Sequence, residues 1–133
     1  MPSSTSRFLA IEPRLHVRDL RRAIAFYRDV LGFEVTTLFP PQDPSFAMLR
    51  RGDVCLQLGG PAGVRPADAA STCTLWIDVA ECARLHDELR AHVKIEWGPE
   101  VYFYGRREFA VRDPDGNLLV FSEETSDPPT CRE

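Results

Sequence analysis

The side chains of this 133-residue chain that could do chemistry fall into two kinds. The first is polar: Glu12, Arg14, His16, Cys55 and Gln57. The second is aromatic: Phe46, Trp76, Trp97, Tyr102, Phe103 and Tyr104. Glu12 and Arg14 lie two residues apart, so on a strand they share a face. They read as a partly buried ion pair or as a polar anchor for a ligand, and Glu12 could also serve as a base without a metal. His16 stands four residues past Glu12. At roughly 3.3 Å per residue that is about 13 Å, too far to share one metal ion. Cys55, Cys73, Cys82 and Cys131 form no C-x-x-C pair. No histidine can be set beside Cys55 from sequence, so no thiol nucleophile is predicted. His86 and His92 fall on the second predicted helix and read as structural; His92, near its C-terminus, suits the helix dipole. The rings suit stacking on a planar ligand or facing a cation. For Trp76, core packing is the competing reading.

The elements that must position these groups come in a repeated order. Phe46 to Val54 echoes Phe109 to Asn117 at an offset of 63 residues (109 minus 46), and Asp19-Leu20 echoes Asp78-Val79. Each half reads as strand, amphipathic helix, strand and hairpin. A first strand is expected over about 7–17, interrupted by Pro13, which cannot donate to a ladder. A helix over 20–31 follows, with Asp19 as its N-cap and Gly32 ending it. A strand near 33–39 and a hairpin over 46–58 complete the half. The second half has a strand over 72–79, a helix over 80–92 and a hairpin over 107–122 turning on Asp113-Pro114-Asp115-Gly116. The run 101–105 reads as a strand or as a mobile loop.

Two such modules make one α+β domain over 7–124: module one 7–58, a Gly/Pro-rich linker 59–71 and module two 72–124. Residues 1–6 and 125–133 read as loose ends. A concave sheet between repeats is the expected ligand site. Alternation puts Leu9, Ile11, Leu15 and Val17 against the helix and leaves Glu12, Arg14 and His16 toward the cleft. It likewise leaves Cys55 and Gln57, Thr74, Trp76 and Asp78, and Leu118, Val120 and Ser122 there.

The string Leu15-His16-Val17-Arg18-Asp19-Leu20, continued by Ala25-Phe26-Tyr27-Arg28-Asp29-Val30-Leu31-Gly32-Phe33, resembles the opening of the vicinal oxygen chelate superfamily (glyoxalase, bleomycin resistance protein, extradiol dioxygenase). Asp113-Pro114-Asp115-Gly116-Asn117 is similar to its second signature. The segments 50–53, 75–79 and 105–114, with Pro13, look nearest to bleomycin resistance proteins. The resemblance implies paired β-α-β-β-β modules and a homodimer with ligand clefts at the subunit interface. It also implies where a metal would bind: at about Glu12, Gln57, Thr74 and Val120. Threonine is a poor ligand and valine none, while a divalent ion wants at least three protein donors. No metal and no cofactor are therefore expected.

Composition sets the remaining limits. A net charge of −4 gives no support for nucleic acid as a partner. No apolar run reaches transmembrane length, and Met1 to Ser6 carries no apolar signal core, so a cytoplasmic protein with free thiols is expected. The reading is metal-independent sequestration of a small planar or cationic molecule. Phe46, Trp76, Tyr102 and Tyr104 are expected as walls, and Glu12, Arg14 and Gln57 as anchors. A glyoxalase-like lyase or isomerase, or a dioxygenase, is the alternative.

Overall fold

Two four-stranded sheets, each wrapped on one helix, carry the chain in a computed structural model that describes residues 6–60 and 72–131. The first half holds β1 (Arg14–His16), α1 (Leu20–Ala25), β2 (Glu34–Phe39), β3 (Phe46–Arg51) and β4 (Val54–Gly59). The second holds β5 (Thr74–Asp78), α2 (Cys82–Leu89), β6 (Trp97–Tyr102), β7 (Arg106–Arg112) and β8 (Leu118–Glu124). Strand orders match: β1-β4-β3-β2 and β5-β8-β7-β6, with the first pair parallel in each. The repeat is thus structural. Most of the expected linker, from residue 61, lies outside the described residues, as do residues 1–5 and 132–133 at the ends. No helix of the described chain is long and apolar enough to cross a membrane.

The first helix starts where expected. Asp19 accepts from the Arg22 amide at 3.2 Å, tying down one of the amides a helix leaves free. The helix widens over Phe26–Val30 into a π turn, with Leu31 N bonded to Phe26 O at 3.1 Å. The second helix is capped from a distance. Its N-cap residue, Glu81, is left-handed, and the Glu123 carboxylate on β8 accepts from the Glu81 and Cys82 amides at 2.8 and 3.0 Å.

Three expectations change. The first strand spans three residues, because Pro13 has no N–H to continue the ladder. Residues 6–13 lie outside it, and Leu9 and Ile11, expected against the helix, are exposed together with Phe8. The far end is tied down as far as Cys131. Thr130 bonds Val101 through both its backbone and its side chain, at 2.8 Å each, and Arg107 pairs with Asp127. The echo also slips by one residue on β3. Ala47 opposite Leu58, not Phe46, occupies the place of Phe109 opposite Phe121. That offset is 62 (109 minus 47), and the N-caps Asp19 and Glu81 share it (81 minus 19). A one-residue slip reverses a face, so Phe46 points away from the core that Phe109 fills.

That core is single. Leu15, Leu49, Leu56 and Leu58 of the first sheet, with Val17 just past β1, share it with Ile77, Phe109, Val111, Leu119 and Phe121 of the second, and residues of both helices lie among them. The Asp113 turn locks the halves. Asp113 Oδ1 accepts from the Asp115 and Asn117 amides at 2.9 Å each, and Oδ2 accepts from Asn117 Nδ2 at 2.9 Å. Oδ2 also accepts from the hydroxyl of Tyr27, 86 residues away, at 2.7 Å, and Arg18 N donates to Asp115 at 2.9 Å. The signature turn is an inter-module clasp.

Candidate functional site

With the alternate residues of both sheets facing one core, the remaining residues of each sheet turn away from it. The residues expected to meet in one cleft therefore form two groups, one on each outward face.

On the first sheet, register sets Arg14, Gln57 and Met48 side by side, and His16, Gly59, Phe46 and Phe39 beside them. Gln57 organises the group. Its Nε2 donates to Glu12 at 2.6 Å, and its Oε1 accepts from Arg14 Nε at 3.1 Å. Glu12 and Arg14 are joined through the amide between them. Arg14 lies over Gly59, where a Cβ would stand 3.4 Å from its Cδ, and its guanidinium carbon sits 4.6 Å from the Phe46 ring centre. An arginine on an aromatic face is a cation–π contact. Glu12, Arg14, Phe46 and Gln57 are thus one connected constellation. Cys55 is half-buried on the same strand as Gln57.

On the second sheet, the outward residues form three rungs. Trp76, Val120, Ala110 and Trp97 make the first, and Asp78, Ser122, Glu108 and Glu100 the second. Tyr102, Arg106 and Glu124 make the third. Trp76 is 58% exposed, which removes core packing as its role. Tyr102 and Tyr104 stack with ring centres 5.6 Å apart and planes within 7°, and Trp97 meets Tyr102 edge-on at 6.1 Å. The run 101–105 is the end of β6 and the turn into β7.

Sequence reasoning passed over the groups that hold these rings. Glu108 is completely enclosed, though it lies on the outward side of β7. It accepts from the Tyr104 hydroxyl and, at 2.7 Å, from Ser122 Oγ. Ser122 accepts from Arg106 Nε, and Arg106 pairs with Asp78. Burial, then the bond to Glu108 and its charge, push the Tyr104 phenol well above the usual tyrosine range. Tyr102 is raised as well, first by burial. The signal was available: Phe109 and Val111 face inward, so Glu108 between Arg107 and Phe109 had to face out beside Ser122. Within β6, Gly98 (φ +82°) lets the backbones touch, since a Cβ there would stand 2.3 Å from Glu108 O.

The four metal positions do not fit a metal. Glu12 already accepts from Gln57, Thr74 offers only a hydroxyl, and Val120 has no donor atom. Among the described residues, no group of three or more His, Cys, Asp or Glu side chains is placed to hold an ion. A hollow of about 520 Å³ lies on the helix side, between the β3–β4 turn and α2, over Phe33, Ile77, Leu85 and Phe121. It contains none of the expected site residues.

The model of the Glyoxalase/Bleomycin resistance protein/Dioxygenase superfamily matches residues 9–121. A bleomycin resistance protein of Klebsiella pneumoniae is 31% identical over 114 residues, covering 80% of this chain and 86% of that protein. One from Geobacillus stearothermophilus is 31% identical over 128 residues, covering 84% and 94%. Among solved structures, the bleomycin-binding protein of bleomycin-producing Streptomyces verticillus, complexed with copper(II)-bleomycin, superposes with a TM-score of 0.70. It is 31% identical and is covered completely by 92% of this chain.

Proposed function

The chain belongs to the glyoxalase/bleomycin resistance protein/dioxygenase superfamily, and within it we propose a metal-independent binding protein of the bleomycin-resistance type. It sequesters a planar or cationic small molecule in a cleft between two copies of the chain. Bleomycin or its copper(II) complex is the first ligand to test. The observation that carries the reading is the pair of outward faces. Both sheets share one core, so the polar constellation around Gln57 and the aromatic rungs around Trp76 and Tyr104 each turn away from it on separate sheets. A walled cleft then needs the first face of one copy opposite the second face of another. Bare Phe8, Leu9 and Ile11 beside β1 add apolar surface that a second copy would cover. Sequestration needs affinity and no turnover. Anchors and rings supply affinity, and no base–nucleophile pair is required of them.

Calorimetric titration with metal-free and copper(II)-loaded bleomycin, alongside the mass in solution, tests this. We expect a dimer binding one ligand per protomer with Kd of about 1 μM or tighter. A monomer at micromolar concentration, or no heat from either ligand, refutes the proposal. Stoichiometric Zn, Ni, Mn or Fe in protein purified without chelator, lost on Glu12→Ala, would instead favour a lyase or dioxygenase.

A further inference from the structure

The second sheet favours one of the two ligand classes. Glu108 never meets a ligand directly, because both its oxygens are taken by Tyr104 and Ser122 and it is enclosed. What a ligand meets is Tyr104, 47% exposed, with Tyr102 stacked against its ring and Phe103 edge-on to it at 5.2 Å. A carboxylate that accepts a phenol's hydrogen bond feeds electron density toward the ring and deepens the negative potential of its faces. A ring so polarised attracts a cation more than a plain aromatic does. The charges around it are negative on balance, because Arg106 and Asp78 answer each other and Glu100, Glu108 and Glu124 remain. Asp78, Glu100 and Glu124 share the outward face with Glu108, with Arg106 between them. Arg106 is occupied by Ser122 and Asp78, so its charge is partly answered within the sheet.

We infer that Glu108 is a specificity-determining residue that acts through the Tyr104 hydroxyl, making the exposed Tyr104 ring the seat for a positively charged group of the quaternary ammonium or guanidinium class. The inference rests on the reading that this face binds the ligand. It assigns the cationic part of a ligand here.

The test compares tetramethylammonium with the neutral tert-butanol at matched ionic strength, read by NMR shifts of the Tyr102 and Tyr104 ring signals. Saturable shifts are expected for the cation and not for the alcohol. Glu108→Gln keeps size and acceptor but removes the charge, and it should weaken the cation about threefold to tenfold. Tyr104→Phe keeps the ring, breaks the link and should do the same; it also carries the test if Glu108→Gln fails to fold. Equal affinity for both probes, or unchanged cation affinity in both variants, overturns the inference. Bleomycin binding without cation selectivity overturns this inference alone. Cation binding without bleomycin binding overturns the choice of ligand and leaves the seat standing.

Discussion

Replacing Tyr27 by phenylalanine removes one oxygen and tests the clasp between the modules. In the folded chain that hydroxyl is buried and donates to Asp113 Oδ2 at 2.7 Å. A hydrogen bond to a charged group is worth about 1.5–3 kcal/mol net. Asp113 keeps three other donors after the change, namely two amides and Asn117 Nδ2. The loss should therefore fall in the lower half of that range, about 1.5–2 kcal/mol. For a chain of this size that lowers the urea midpoint by about 1 M with m unchanged. The pH dependence gives a second check. Burial first, then the charge of Asp113 and the bond to it, raises the Tyr27 phenol far above its ordinary value. The folded chain keeps this proton where the unfolded chain releases it. The stabilisation is full below about pH 10, the unfolded tyrosine value, and is lost as pH rises beyond it. The Tyr27→Phe variant has no phenol proton at this position to lose, so the stability gap between it and wild type narrows above about pH 10. The assay is urea unfolding at fixed protein concentration at about pH 7 and again near pH 10.5, on either side of that unfolded tyrosine value. A gap under about 0.5 kcal/mol at neutral pH, or one that does not shrink on going alkaline, refutes the reasoning.

Other expectations follow from the same contacts. Gly98→Ala drives a Cβ into Glu108 O and Phe109 Cα at a positive φ, whereas Gly52→Ala, also at positive φ, meets nothing within 4 Å. Gly52→Ala should cost about 1–2 kcal/mol and Gly98→Ala distinctly more, with melting curves ranking the two. Glu123→Ala uncaps α2 and should cost about 1–2 kcal/mol, read as lost helicity and a lower melting temperature. Cys82 is enclosed, and its thiol is pushed up to about 11, chiefly by burial. Alkylation at about pH 8 followed by peptide mapping should therefore modify exposed Cys73 and spare Cys82 until the protein unfolds.

The sequence was most legible where one residue decides a local conformation. Asp19 announced its helix because an aspartate before an apolar period accepts first-turn amides. The Asp113-Pro114-Asp115-Gly116 turn announced itself through residues that need special backbone angles. What stayed hidden depends on partners far along the chain. Glu81 offers no local capping bond, and the group that caps α2 arrives from Glu123. Leu9 and Ile11 alternate like core residues, but alternation fixes a face only once a ladder exists, and Pro13 ends it. The site shows the same division. Alternation found Gln57 and Trp76 on outward faces. It did not show that the shared core sends those faces apart, because periodicity carries no information about how two sheets are stacked. Glu108 was overlooked as a buried charge because its enclosure comes from Tyr104 and Ser122 folding over it.

No strand ladder joins one sheet to the other among the described residues. Each half completes its own backbone pairing, and the halves meet chiefly through side chains: a shared core and the clasp on Asp113. An interface of that kind does not care whether its two sides sit on one polypeptide. Two molecules can trade halves without breaking a backbone hydrogen bond inside either sheet, and a gene cut between them can be rejoined with a half from a related gene. The outward faces would then be inherited separately, so a new pairing of anchors with rings needs recombination, not the slow accumulation of point changes.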